Sequence, residues 1–424
     1  MIELPEGWRW ATVADVGAVD LGRQRHPDWH NGPEMRPYLR VANVFEDRID
    51  TTDVKEMDFS GIFDRFKLEP GDLLLNEGQT PELLGRPAIY RGSPPDVAFT
   101  NSLIRFRAGP EILPEWALIV FRHHMHSGRY RQESRITTNI AHLSARRFKT
   151  VEFPVPPLDV QKEIISLVDD QLFRLDGIAR NLATVSARTR TMVISSLRMH
   201  LGESENEVVL LDKLLATPLV NGRSVPTREG GFPVLRLTSI TRDGKVDITQ
   251  AKPGAWTASE ASPYNVAVGD FLVVRGNGSL RLVGRGGMVH SLDSPVAFPD
   301  TLVRVRTRND LVHPEYFALV WNSEVVRRQI ESIARTTAGI YKVNQKGLAR
   351  IEIPLPSLSR QVEISDAMAD VSTSATRAFE VIEKSQLRIR TLKKLVLRAA
   401  CNGILTEKRI NIDIEEELTS VGHT

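Results

Sequence analysis

The strongest constraint on this chain is an internal repeat with a period of 200 residues. Residues 151–163 read VEFPVPPLDVQKE, and residues 351–363 read IEIPLPSLSRQVE. The residues that the two segments share are Glu152, Pro154, Pro156, Leu158, Gln161 and Glu163, which recur as Glu352, Pro354, Pro356, Leu358, Gln361 and Glu363. A unit of this length is too long for a solenoid repeat. The sequence therefore predicts two copies of one module, each a globular domain followed by a helix, with approximate internal twofold symmetry.

Each copy ends in a long stretch in which apolar residues alternate at spacings of three and four. These stretches run from about Val160 to Leu201 and from about Arg360 to Asn402. A heptad pattern of this length predicts a long helix with a coiled-coil partner. Residues typical of helix ends frame both stretches: N-caps at Asp159 and Ser359, and glycines at Gly202 and Gly403. The matched lengths and entry motifs favour an antiparallel pair, and two helical linkers that merely join domains are the alternative.

The segments that precede the helices, about 1–150 and 204–350, contain short β-type runs broken by Gly, Pro, Asn and Asp. Each also has one helix-like stretch after a Pro-Glu pair. Landmark pairs recur between the two segments: Gly22-Arg23 and Gly222-Arg223, Gly71-Asp72 and Gly269-Asp270, Gly85-Arg86 and Gly284-Arg285, and Thr137-Thr138 and Thr336-Thr337. The residues between these landmarks differ strongly, as expected of one scaffold with two targets.

We predict an α+β fold with two repeated mixed α/β domains joined by two long antiparallel coiled-coil helices, with pseudo-twofold symmetry. The predicted boundaries are 1–158 for the first domain, 159–203 for the central helix, 204–358 for the second domain, 359–403 for the C-terminal helix and 404–424 for an acidic tail.

Composition excludes several classes of protein. No apolar run approaches the roughly 20 residues of a membrane span. The N-terminal residues MIELPEGWRW carry acids and an early proline, unlike a secretory signal. The single cysteine, Cys401, rules out an internal disulfide and a cysteine-rich zinc site, and it favours a reducing compartment. We therefore expect a cytoplasmic protein without membrane contact.

Catalytic motifs are mostly absent from the sequence. There is no GxxxxGK[ST] loop, and Gly276-Asn277-Gly278 lacks the third glycine of GxGxxG because Arg281 stands there. The Asn-Pro-Pro-aromatic motif of amino-methyltransferases is also missing. The run His123-His124-Met125-His126 has no histidine at the matching place in the second copy, which favours a solvent-facing or DNA-facing helix end over a metal site. We expect no catalytic residue, metal or cofactor site in this chain.

Clustered bases point to a nucleic acid. Residues 122–149 contain seven basic residues against one acid, and the corresponding stretch 323–350 contains six against two. A solvated face is the ordinary explanation for one such run. Two runs at equivalent repeat positions favour contact with phosphates. Duplex DNA, which has approximate twofold symmetry of its own, is the obvious partner.

Base reading requires forked or amide side chains on exposed loops. In the first domain the predicted DNA-contacting residues are Arg23, Gln24, Asn43, Gln79, Arg86, Asn101, Arg135, Thr138, Asn139, Arg146 and Arg147. In the second domain they are Arg223, Arg236, Arg275, Asn277, Ser279, Arg285, Arg335, Thr337, Tyr341, Lys342 and Asn344.

The chain resembles the DNA-specificity (S) subunit of type I restriction-modification enzymes. The resemblance rests on the opening LPEGWRWATVADVG, the doubled proline-glutamine motif, the two long helices and the ending LRAACNGILTE. It implies that each globular unit is a target-recognition domain for one half of a bipartite, asymmetric DNA site, and that the helices fix the gap between the half-sites. It also implies that two methyltransferase (M) subunits methylate adenine N6 and that restriction (R) subunits cut DNA. S-adenosylmethionine, ATP and magnesium would then bind to those partners.

Two other functions remain open at this point. One is a stand-alone, metal-dependent DNA-cleaving enzyme in which acids such as Asp72, Glu77 and Asp270 bind magnesium. The repeated Gly-Asp pair is more typical of a turn at the start of a strand. The other is an interaction scaffold whose helices recruit proteins without any contact to DNA.

Overall fold

The chain folds into two compact units, each of which combines a globular segment with part of both long helices. The computed structural model describes residues 4–133, 135–137, 140–201, 207–241, 243–337 and 339–405. The first unit comprises residues 1–181 and 385–424, and the second comprises residues 182–384.

Short strands dominate the first globular segment. They are β1 (Arg9–Thr12), β2 (Gly17–Leu21), β3 (Met35–Leu39), β4 (Val44–Phe45), β5 (Arg48–Ile49), β6 (Lys55–Asp58), β7 (Leu73–Asn76), β8 (Gly78–Gln79), β9 (Pro87–Ile89), β10 (Ala98–Phe99), β11 (Leu103–Ala108), β12 (Arg135–Thr137), β13 (Ile140–His142) and β14 (Glu152–Val155). The helices are α1 (Val13–Val16), α2 (Phe63–Phe66), α3 (Pro114–Ser127), α4 (Arg129–Gln132) and α5 (Ala145–Lys149), followed by the long helix α6 (Leu158–Leu201).

The second globular segment has the same kind of architecture. Its strands are β15 (Glu207–Leu210), β16 (Val220–Asn221), β17 (Thr227–Val234), β18 (Lys252–Gly254), β19 (Phe271–Val274), β20 (Gly276–Asn277), β21 (Gly286–Met288), β22 (Leu302–Val305), β23 (Arg335–Thr337), β24 (Ile340–Lys342) and β25 (Glu352–Leu355). Its helices are α7 (Leu211–Leu214), α8 (Ala258–Ala261), α9 (Pro314–Trp321), α10 (Glu324–Ile333) and α11 (Gln345–Leu348), followed by the long helix α12 (Leu358–Cys401).

The sequence repeat is also a repeat of sheet topology. A four-stranded sheet has the order β2-β11-β7-β9 in the first unit and β16-β22-β19-β21 in the second. Strand β1 pairs with β14 just before α6, and β15 pairs with β25 just before α12. A three-stranded sheet, β12-β13-β8 or β20-β24-β23, completes the correspondence. The two globular segments are therefore built on one plan, although their loops differ.

Aromatic residues fill the core of each globular segment. In the first unit, the rings of Phe106 on β11 and Phe121 on α3 meet edge to face with centroids 5.0 Å apart. In the second unit, Phe271 on β19 meets Phe317 on α9 in the same geometry at 5.1 Å. Edge-to-face pairs of this kind stabilise beyond the burial of their surface. The helices that begin at the two Pro-Glu pairs, α3 and α9, thus each pack on the four-stranded sheet of their own unit.

Both long helices have 44 residues, which corresponds to roughly 66 Å each at 1.5 Å per residue. Within the first unit, Ile164 and Val168 near the start of α6 share a core with Leu397 near the end of α12. Within the second unit, Leu197 near the end of α6 shares a core with Ile364 near the start of α12. In each unit the helices therefore pack antiparallel. The predicted combination of mixed helix and sheet with two long helices is confirmed.

The predicted N-caps were misplaced by two residues. Both helices begin at leucine, so Asp159 and Ser359 lie inside the first turn. The Oγ atom of Ser357 accepts a hydrogen bond from the N–H of Arg360 at 3.4 Å, which makes Ser357 the cap of α12. Gly403 ends α12 with a positive φ of 65°, as predicted, whereas Gly202 lies outside the described residues.

No helix in the described part of the chain combines the length and the apolar character needed to cross a membrane.

The repeated glutamine fastens each long helix to its globular segment. Gln161 is fully buried; its Oε1 accepts from Leu113 N at 2.9 Å, and its Nε2 donates to Glu111 O at 2.8 Å and to Pro156 O at 2.9 Å. Gln361, at the equivalent place in the second unit, is equally buried. It forms the same three hydrogen bonds, to His313 N, Leu311 O and Pro356 O, at 2.8, 3.0 and 2.8 Å. The repeated glutamine of the motif is therefore structural.

The substitution Gln161→Leu should lower the free energy of unfolding by about 3 kcal/mol, because it removes the hydrogen-bond partner of three backbone groups at this joint. Urea denaturation followed by tryptophan fluorescence measures this loss. Glu163→Gln, on an exposed position of the same turn, is the matched control and should change the stability by less than about 0.5 kcal/mol. Equal stabilities of the two variants would contradict the proposed role of the glutamine.

Candidate nucleic-acid interface

A small antiparallel sheet occupies the same place in both units. In the first unit β12 pairs with β13, and β13 pairs with β8; in the second unit β23 pairs with β24, and β24 pairs with β20. We call these the first and the second hairpin sheet. The backbone register is identical: residue 135 faces 142 and residue 137 faces 140, just as 335 faces 342 and 337 faces 340. Thr137 therefore corresponds to Thr337, and the predicted match of Thr137-Thr138 to Thr336-Thr337 was wrong by one residue.

One face of each hairpin sheet is exposed. Side chains alternate between the two faces of a strand. On β13, Ile140 is 49% exposed and His142 is exposed, whereas Ala141 between them is fully buried. On β24, Ile340 is 44% exposed and Lys342 is exposed. Each hairpin sheet thus presents one isoleucine and one basic residue to solvent from equivalent positions.

In both units a glycine on the neighbouring strand leaves space for the exposed basic residue of the hairpin sheet. Gly78 on β8 lies opposite His142, and Gly276 on β20 lies opposite Lys342. A β-carbon at Gly78 would lie 3.0 Å from Cε1 of the histidine, and one at Gly276 would lie 3.1 Å from Cγ of the lysine. These separations are tighter than ordinary contacts, so a larger residue would displace the basic side chain. This explains why the glycine that starts each of these strands repeats.

The residue before each of these glycines differs in charge. Glu77 donates its N–H to Ser102 O at 3.0 Å, and Arg275 donates its N–H to Thr301 O at 2.8 Å at the equivalent place. The Oε2 atom of Glu77 lies 3.2 Å from Nδ1 of His142. The Nη1 atom of Arg275 donates a long hydrogen bond of 3.4 Å to Asp300 O. The first hairpin sheet thus pairs its histidine with an acid, whereas the second carries a further arginine.

The hairpin sheets bring together a subset of the predicted DNA-contacting residues. The second contains Asn277, Arg335, Thr337, Tyr341 and Lys342, with Arg275 immediately before its first strand, and the first contains Gln79 and Arg135. For Arg135 and Thr337 only the position on the strand is described, and Thr138 and Asn139 lie outside the described residues. Sequence inspection missed His142 and Ile140, although His142 stands 200 residues before Lys342 and could have been found from that spacing.

Other predicted residues lie outside these sheets. Exposed positions are occupied by Gln24, Asn101, Arg146, Arg223, Arg236, Ser279 and Asn344. Asn344 also caps α11, because its Oδ1 accepts from Gly347 N at 2.7 Å. Arg285 is half-buried and engaged in a contact within the protein. Contact of these residues with DNA stays a prediction.

Asn43 is a correction to the prediction, because it is only 2% exposed. Its Nδ2 donates to Asp50 O at 2.9 Å and to Asp53 O at 3.0 Å, and its Oδ1 accepts from Arg40 N at 3.1 Å. All of its polar groups close a loop, so none is directed at a base. An asparagine in a loop was read as a base contact because the sequence does not reveal its burial.

Three predicted arginines have partners inside the first unit. The guanidinium of Arg23 lies 4.0 Å from the ring centre of Trp29, and that of Arg86 lies 4.7 Å from the ring centre of Phe45. Burial lowers the pKa of both arginine side chains. Arg147 donates from Nη1 to Glu133 O at 2.7 Å. Each of these arginines therefore has a contact within the protein, and contact of the three residues with DNA stays a prediction.

The histidine run does not form the solvent-facing or DNA-facing helix end that was predicted. His124 is buried and donates from Nε2 to Glu152 O at 2.9 Å. His126 lies 2.9 Å from Oε1 of Glu46, an oxygen that also accepts from Nε of Arg122 at 2.8 Å. Burial opposes the ionisation of Glu46, but the hydrogen bonds and charges of His126 and Arg122 outweigh it and lower its pKa to about 2. The run packs the end of α3 against the rest of the first unit.

The repeated Gly-Asp pairs have a structural role. Asp72 is almost fully buried and accepts from Nε and Nη2 of Arg107 at 2.7 and 2.8 Å. Asp270, equally buried, accepts from Nη2 of Arg306 at 3.0 Å. The hydrogen bonds to these aspartates raise the pKa of both arginines. Two of the acids suggested for magnesium are thus occupied by arginine, and the described residues contain no cluster of three or more His, Cys, Asp or Glu placed to hold a metal ion.

The buried His124 predicts a loss of stability in acid. Burial lowers its pKa to about 4, whereas an unfolded histidine has a pKa of about 6.5. The unfolded state therefore binds more protons between these two pH values, so the free energy of unfolding should fall as the pH decreases from about 6.5 to about 4.

His124→Gln should reduce this loss by about 1–3 kcal/mol, because glutamine does not titrate. The second unit offers a precedent, since Nε2 of Gln329 donates to Glu352 O at 2.9 Å. Urea denaturation at a series of pH values measures the effect, with the exposed His30→Gln as control. The same acid loss in both variants would refute the assignment to His124.

Comparison with known proteins gives a consistent result. No protein-family model matches the chain. The specificity subunit of the type I restriction enzyme EcoKI from Escherichia coli (strain K12) is 26% identical over 425 aligned residues, covering 95% of this chain and 90% of the relative. The specificity subunit of the type I restriction enzyme StySPI from Salmonella potsdam is 22% identical, with the same coverage.

A solved structure that describes complex assembly and conformational transition of the type I R-M system contains a chain with the same fold. It matches with a TM-score of 0.68 and 18% identity, over 95% of this chain and all of the other. The predicted resemblance is therefore confirmed: the chain is homologous to type I restriction enzyme specificity subunits along nearly its whole length.

Proposed function

We propose that this chain is a non-catalytic DNA-specificity subunit of a type I restriction-modification enzyme. In this proposal it recognises a bipartite, asymmetric site on duplex DNA, directs methylation of adenine N6 by two methyltransferase (M) subunits, and directs cleavage by restriction (R) subunits. The observation that carries the proposal is the repeated framework with divergent exposed residues, in a chain homologous to specificity subunits over nearly its whole length.

Binding would combine two kinds of contact. Exposed cations such as Arg335 and Lys342 suit phosphate oxygens, which fix the position and orientation of a protein on the duplex but carry no sequence information. Exposed amide and guanidinium groups such as Gln24 and Arg236 suit base edges in the grooves. Because these exposed residues differ between the units, each unit would select its own half of the site.

The long helices would serve two purposes. Their length would set the gap between the half-sites. Their surface would also bind partner subunits, because Phe173 and Met199 on α6 are 71% and 73% exposed and large apolar side chains at a surface favour protein contacts. S-adenosylmethionine, ATP and magnesium would bind to the partner subunits, where the chemistry takes place.

The stand-alone nuclease receives no support from a specific observation. Asp72 and Asp270 bind arginine, and Glu77 lies against His142. The scaffold without DNA contact accounts for the exposed apolar residues of the helices. It does not account for two hairpin sheets with exposed basic residues at equivalent positions.

Methylation sequencing of a host that expresses this chain with its cognate methyltransferase tests the proposal. We expect an asymmetric, bipartite motif that contains N6-methyladenine and disappears when only this chain is deleted. Retention of the motif in the deletion strain would contradict the proposal. A strain that keeps this chain but lacks the methyltransferase is the control, and it should also lose the motif.

Removal of one heptad from the middle of each long helix, residues 182–188 and 378–384, tests the spacer. Seven residues span about 10 Å of helix, so the gap between the half-sites should shorten by about three base pairs while both half-sites stay unchanged. Methylation sequencing reads both quantities in one experiment. New half-sites with an unchanged gap would disprove the role of the helices as a spacer.

A further inference from the structure

The two hairpin sheets have the same backbone but carry different charges. Three charged or titratable positions correspond through the register and the backbone hydrogen bonds: Glu77 and Arg275, Arg135 and Arg335, and His142 and Lys342. In the second sheet all three positions are permanently cationic. In the first sheet one is an acid and one is a histidine.

The cations of the second hairpin sheet are available for a ligand. Lys342 and Arg335 face each other on neighbouring strands and are both exposed. Among the described residues neither has an acidic partner within salt-bridge distance. Arg275 immediately precedes β20. Within the part of the chain that the structure describes, its guanidinium has one long hydrogen bond to a carbonyl oxygen and no acidic partner, so its charge is not compensated there. Like charges held together without counter-charges are unfavourable unless an anion neutralises them.

The first hairpin sheet has an acidic side chain beside it that offsets positive charge on the sheet. The carboxylate of Glu77 lies 3.2 Å from the ring of His142, and both side chains remain partly exposed, at 25% and 48%. The carboxylate would repel a phosphate at the position where Arg275 would attract one. The same backbone therefore favours an anion in the second unit and disfavours it in the first.

We infer that the two units hold the DNA backbone unequally: the second hairpin sheet is a phosphate clamp, and the first is not. This inference rests on the proposed function and adds that the two units make different kinds of contact with DNA. The second unit supplies electrostatic attraction that does not depend on sequence. The first unit relies more on contacts with base edges, which are sensitive to sequence and weakly sensitive to salt.

Salt-dependent binding of a fluorescent, mixed-sequence DNA duplex to the full-length chain with its methyltransferase partner tests the inference. Each phosphate contact contributes about 0.9 to the slope of log affinity against log salt, which is about a fourfold change in affinity over a fourfold range of salt. Lys342→Gln and Arg275→Gln should each reduce the slope by about one contact, whereas His142→Gln should leave it nearly unchanged. The double variant Glu77→Arg with His142→Lys should increase the slope by up to about two contacts.

Two controls separate the clamp from general effects. Arg308→Gln removes one positive charge from the second unit at an exposed residue that is paired with Asp310, and it should leave the slope unchanged. Lys342→Arg should retain the original slope. Circular dichroism and thermal unfolding verify that each variant is folded, which we expect because none of the substituted residues is buried.

The possible outcomes are distinct. Equal slopes for Lys342→Gln and His142→Gln, in a complex that binds DNA, contradict the inference that the two units bind phosphate unequally. They leave the proposed function intact. Unchanged slopes with weaker binding of the methyltransferase mean that the second hairpin sheet contacts protein, which also overturns the inference. Absence of any DNA binding by the unsubstituted complex contradicts both the inference and the proposed function.

Discussion

The buried glutamine at the start of each long helix is the interaction on which the rest of the structure depends. In the first unit one amide group links the end of the proline-rich strand β14, the loop before α3 and the first turn of the long helix α6. A glutamine suits this task because its side chain offers an acceptor and two donors in one plane. With every polar atom satisfied, its burial stabilises one orientation of the helix instead of destabilising the core.

Both units contain this glutamine joint, but some of the residues around it differ between the units. Trp116 donates from Nε1 to Pro154 O at 3.0 Å, and Tyr316 donates from its hydroxyl to Pro354 O at 2.7 Å. Different aromatic side chains thus satisfy the same carbonyl position. The buried Asp–Arg pairs are retained in the same way. Because exposed residues carry none of these constraints, the surface of each unit is free to diverge.

Equivalent backbone positions with opposite charge are informative for a duplicated protein. Glu77 and Arg275 have the same backbone hydrogen bonds, so the scaffold does not explain their difference. What differs is the environment that each side chain offers to a ligand. A carboxylate beside a histidine and a group of three cations suit different ligands, and this contrast is the basis of the unequal phosphate binding that we infer.

The sequence alone determined the duplication, the two long helices and the mixed helix-and-sheet class. Repeats and heptads are patterns in the order of residues, and they can be recognised without knowledge of tertiary contacts. It did not determine which polar residues are buried. Asn43 and His124 looked like surface residues, yet chain segments distant in sequence cover both, and only the tertiary structure brings those segments together. The equivalence of Glu77 with Arg275 likewise became visible only through strand register, since loop lengths shift the numbering between the two copies.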